Sequence, residues 1–106
     1  MKMYVSTPEF FQLLRKENPQ VAEAVMHLRS AISQTNPLDE KTSNLIIIGA
    51  ATAMRSAAAM REHIQAALKC GATREEIIST ILLLTPALGI PNILFALPIA
   101  IQEMEN

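Results

Sequence analysis

The sequence has no tryptophan, one cysteine and three glycines, and only 4% of its 106 residues are aromatic. A single cysteine cannot close an internal disulfide, and no Cys/His cluster has zinc spacing. That pattern suits the cytoplasm. Charge is also sparse: 18% of residues are charged and the formal net charge is −1, so no basic patch exists to hold phosphates. A nucleic-acid partner is therefore not expected. Linkers, internal repeats and low-complexity tracts are missing, which points to one domain over residues 1–106. Met1 to Thr7 lack the apolar core of a secretory leader.

Apolar residues, by contrast, make up half of the chain. A chain of this length buries only roughly two-thirds of its unfolded surface, so that much grease exceeds what a small free-standing domain needs. It is also unevenly placed. From Ile77 to Gln102 no residue is charged, a run long enough to cross a bilayer. Pro86, Gly89, Pro91 and Pro98 punctuate it, however, and proline disrupts helix hydrogen bonding.

Helix signals run along the whole chain. Thr7-Pro8-Glu9 reads as cap, first-turn proline and first-turn acid, opening a helix that ends near Glu17. Asn18-Pro19 opens a second, in which Val21, Val25, Leu28 and Ile32 recur at helical spacing until Thr35-Asn36-Pro37. Residues 1–37 thus form a helical arm and 38–106 the core. Asp39 caps a third helix leading into residues 49 to 59, whose small side chains suit a crowded helix–helix contact. A fourth spans Ser56 to Cys70 and stops at Gly71. Thr73 and Glu76 fit a capping box, starting a helix from Arg74 to Leu84 that is apolar nearly all round. Such a helix has to be buried all round, and copies of the same chain are the economical cover. After a Pro/Gly turn from Pro86 to Pro91, a last helix runs from Asn92 to about Met104, bent at Pro98. The fold class is all-α, a small bundle of about five to six helices assembled as an oligomer.

Residues 38 to 101 carry a resemblance. Leu38-Asp39-Glu40-Lys41-Thr42, then His63, the alanine-rich stretch to Cys70-Gly71, Thr73-Arg74-Glu75-Glu76-Ile77 and finally Gly89-Ile90-Pro91 fall in one order. Together they resemble the carboxymuconolactone decarboxylase and alkylhydroperoxidase D superfamily. The resemblance implies a small helical bundle that assembles with itself, as a trimer or hexamer, with sites near the histidine helix and close to a subunit boundary. No metal and no cofactor are expected. The resemblance also turns the apolar run into two oligomer-core helices joined by a tight turn, so no membrane partner is expected.

The chemistry that the resemblance implies is divided. Members like alkylhydroperoxidase D carry Cys-x-x-Cys-x-x-x-His with a glutamate one helix earlier, and use thiolate and sulfenate chemistry. Here Ser56 and Ala59 stand in the cysteine places and Asn44 in the glutamate place. A serine hydroxyl cannot cycle through a sulfenate, so peroxidase activity is disfavoured. Members like the lactone decarboxylase keep only the histidine, which fits better, although Ala87, Leu88, Leu94 and Phe95 replace polar residues expected around the Gly-x-Pro turn. His63 is thus the candidate catalytic residue, a general acid or base acting on a small apolar substrate. Asn44 and Ser56 are candidate substrate-binding residues, with capping or packing as the plainer role. Cys70 reads as an inert buried thiol, His27 as a surface or packing residue, and Arg55 and Arg61 as solvated charges or weak anion contacts. The other function class is a non-catalytic oligomer that kept the fold as a ligand carrier or interaction module.

Overall fold

A computed structural model describes residues 6–105, and all regular structure among them is helical. The reading of Met1 to Thr7 as no secretory leader falls mostly outside those residues. The chain divides into two compact units, Met1–Pro37 and Leu38–Asn106.

The first unit holds α1 (Thr7–Glu17) and α2 (Pro19–Thr35). Its first cap lies one residue earlier than expected: Ser6, not Thr7, accepts the amide of Glu9, 3.3 Å away. Thr7 and Pro8 then occupy the first helical positions, where the missing proline N–H costs nothing. Asn18 ends α1 and caps α2, its side chain accepting the amide of Val21. Phe11 is buried on this hairpin and the Arg29 guanidinium lies 5.0 Å above its ring.

The second unit contains α3 (Glu40–Ala53), α4 (Ala57–Lys69), α5 (Arg74–Leu82), the single turn α6 (Thr85–Leu88) and α7 (Ile90–Glu105). Helices α3 and α4 share the most extensive contact, while α7 lies against α4, α5 and α3. Where these helices meet, Ile48, Met60, Ile64, Ile77 and Ile81 are fully buried. Each such side chain contributes about 1.5–3 kcal/mol by leaving water. With so few rings available, alanines complete the core: Ala67, Ala96 and Ala100 are buried to zero exposure. The small-residue stretch enters this contact only in part. Ala51 and Thr52 are buried, and the Thr52 hydroxyl donates to the Ile48 carbonyl, but Ala50, Ala53 and Met54 are exposed.

Boundaries follow local chemistry. Asp39 caps α3 through the Thr42 amide, Gly71 turns the chain after α4 at φ +92°, and the Thr73–Glu76 capping box opens α5 with both bonds made. Helix α5 ends at Leu82, two residues short of the expected Leu84, because the backbone tightens into turns before α6. Part of the expected loop from Pro86 to Pro91 is helical, and Gly89 at φ +82° separates α6 from α7. Pro91 falls in the first turn of α7, which therefore starts at Ile90 rather than Asn92 and continues through Pro98. The uncharged run is thus broken into pieces. Among the described residues no helix is long and apolar enough to cross a membrane.

Candidate functional site

His63 lies in the middle of α4, and Asn44 lies on the first half of α3. Because these two helices share the most extensive contact, residues nineteen apart in sequence meet side by side. His63 Nδ1 is 2.9 Å from Asn44 Oδ1, and both residues are half-buried. The Asn44 amino group in turn donates to the Glu40 carbonyl at 2.9 Å, one turn earlier in α3. Asn44 therefore bonds to the protein on both sides of its carboxamide.

The Glu40 side chain continues the same cluster. Its Oε2 is 3.5 Å from Cys70 Sγ, which donates to it from the C-terminal cap of α4. Partial burial pushes the Cys70 thiol above its ordinary value, and the Glu40 carboxylate raises it further. A thiol held protonated beside a carboxylate is a poor nucleophile. The sequence offered no signal for this pairing, since Glu40 and Cys70 are thirty residues apart.

Ser56 is the N-cap of α4, its hydroxyl accepting the Ala59 amide at 3.3 Å. Both places that would hold the cysteines of a peroxidase are thus used by one helix cap. Just before them, Arg55 sits at φ +55°, a left-handed conformation that is uncommon for a residue with a side chain. Its guanidinium donates to Asn92 Oδ1 at 2.8 Å and stacks 4.6 Å from the Phe95 ring, while Asn92 Nδ2 donates to the Thr52 carbonyl. Arg55 thus joins the α3–α4 corner to α7. Nothing in its local sequence announces the backbone strain, because no glycine or asparagine marks the position. Arg61 reaches Glu103 at 4.0 Å, and Gln65 donates to the same carboxylate at 2.8 Å, so both bind α4 to α7.

Two open apolar clefts mark the surface of this unit. One, of about 480 Å³, runs between α3 and α5 beside Leu45, Ile46, Leu83 and Leu84. The other, of about 470 Å³, follows α7 along Ile90, Leu94, Leu97 and Pro98. His63 lines neither. Among the described residues no group of three or more histidine, cysteine or acidic side chains is arranged to hold a metal ion.

No curated protein matches the chain in a sequence comparison. A family model does, over residues 19–102, a span that takes in α2 as well as the core helices recognised from the motifs. By that match, which covers most of its length, the chain belongs to the carboxymuconolactone decarboxylase family.

Proposed function

We propose that this family member is a proton-transfer catalyst of decarboxylase-like type, with His63 acting on a small, mostly apolar substrate. The observation that supports it is the 2.9 Å contact from Asn44 to His63, which orients an imidazole at a helix–helix boundary. A neutral imidazole so held can take and return a proton near physiological pH. Ser56 serves as a cap in this reading rather than as a substrate contact. The two apolar clefts agree with self-association, and a trimer or hexamer is the proposed assembly. Turnover of a panel of lactones by the wild-type chain, lost by at least about a hundredfold in His63→Ala, is the expected outcome. Undiminished turnover in that variant removes His63 from the reaction.

A second reading is a non-catalytic oligomer that carries an apolar ligand. What favours it is that Asn44, Ser56 and Arg55 direct their polar groups to the protein's own structure. An environment-sensitive apolar dye that binds wild type and His63→Ala equally, with no turnover of any lactone by wild type, is the outcome this reading requires. A thiol peroxidase is the least supported, with Ser56 and Ala59 in the cysteine places and the Cys70 thiol raised.

A further inference from the structure

We infer that Asn44 is a positioning residue that holds the neutral His63 ring as its Nδ1–H tautomer, making Nε2 the nitrogen that accepts a proton. The inference deepens the catalytic reading of His63 and rests on it for its functional meaning, but not for its geometry.

The argument begins at a backbone carbonyl. The Glu40 carbonyl oxygen can only accept, so the group of Asn44 that faces it at 2.9 Å must be the amino group. A carboxamide is planar and carries its oxygen opposite that amino group. Once Nδ2 is committed to α3, Oδ1 points to α4, and it meets His63 Nδ1 at 2.9 Å. An amide oxygen has no proton to give. The bond therefore exists only with the proton on Nδ1, and a neutral imidazole has one N–H, leaving the lone pair on Nε2.

An asparagine without a second partner can present either its oxygen or its amino group to a ring. The bond to Glu40 removes that choice, and it does so within one turn of the same helix, where spacing is fixed by α3 itself. A carboxylate at this place would also hold Nδ1–H, but it would add a negative charge that favours the imidazolium. Asparagine orients the ring without adding that negative charge. That combination suits a group whose resting form is a base.

The tautomer is read directly from the imidazole nitrogen resonances of the full-length, ¹⁵N-labelled protein, at a pH where the ring is neutral. We expect a protonated, pyrrole-type Nδ1 and a pyridine-type Nε2 for His63 in the wild type. In Asn44→Ala and Asn44→Leu, the second keeping the bulk without an acceptor, the population should move towards Nε2–H. A wild-type ring that is mainly Nε2–H overturns the inference, even if neither variant folds. So does a tautomer left unchanged in a folded variant. These spectra need no substrate, so His63→Ala with undiminished turnover would defeat the catalytic reading while the resonances alone decide the role of Asn44.

Discussion

At Gly71 the chain leaves α4 with φ +92°, and a Cβ added there would meet no atom within 4 Å. Space is ample, so the requirement lies purely in the backbone. Gly71→Ala should cost about 1–2 kcal/mol, the usual strain of a left-handed residue with a side chain. Gly49, inside α3, has the opposite constraint: its Cβ would find Leu84 and Thr80 carbons at 3.8 and 3.9 Å, ordinary contact distances. Gly49→Ala should be neutral or stabilise by up to about 1 kcal/mol, because alanine loses less freedom in a helix. Urea melts of the two variants measure both, and equal effects would contradict this account. Cys70 provides a chemical check at the same scale. With its thiol raised by burial and by Glu40, it should alkylate with iodoacetamide more slowly at neutral pH than an unstructured cysteine peptide. Faster alkylation would mean an activated thiolate and would reopen thiol chemistry.

Helix α5 is joined to its surroundings by charge as well as by grease. Glu76 closes the capping box on the Thr73 amide and receives the Lys41 ammonium of α3 at 3.1 Å. The Thr73 amide first, and Lys41 second, hold its carboxyl below the ordinary 4.5. The folded state thus binds the Glu76 proton more weakly than the unfolded chain does. Its contribution to stability is complete above pH 4.5 and is lost as pH falls through the lower folded value. Asp39, held down by the Thr42 amide, adds to the same acid trend. Glutamine can keep the capping geometry but does not titrate there. Glu76→Gln should therefore show a flatter fall of Tm between about pH 5 and pH 3 than wild type. Parallel Tm–pH curves for the two proteins would exclude Glu76 as a source of the acid slope.

For the molecule as a whole, the unresolved balance is apolar surface. Leu83 and Leu94 stand 77% and 70% exposed, next to the clefts on α3–α5 and α7. Scattered exposed leucines are ordinary, whereas larger contiguous apolar surfaces mark protein-interaction or ligand-binding sites. The proposed homo-oligomer should give a light-scattering mass that is a small multiple of 11.6 kDa. Leu83→Glu combined with Leu94→Glu should lower that mass towards a single chain. A stable wild-type monomer would defeat the assembly proposal and leave the apolar faces unexplained.

The sequence alone determined where most of the helices begin and end, to within a residue or two, but neither the single turn α6 nor the end of α3. Ser/Thr/Asp/Asn caps, first-turn prolines and left-handed glycines act over three or four residues, and Asn18, Asp39, Thr73 and Gly71 each do what their chemistry dictates. The order of motifs around His63 was legible for the same reason, since it is a linear pattern. Only the tertiary structure decided what those polar residues touch. Pairing Asn44 with His63, Glu40 with Cys70 and Arg55 with Asn92 depends on how α3 lies against α4 and α7. That placement is set by the summed burial of residues such as Ile48, Ile64 and Ile81, and no local spacing encodes it.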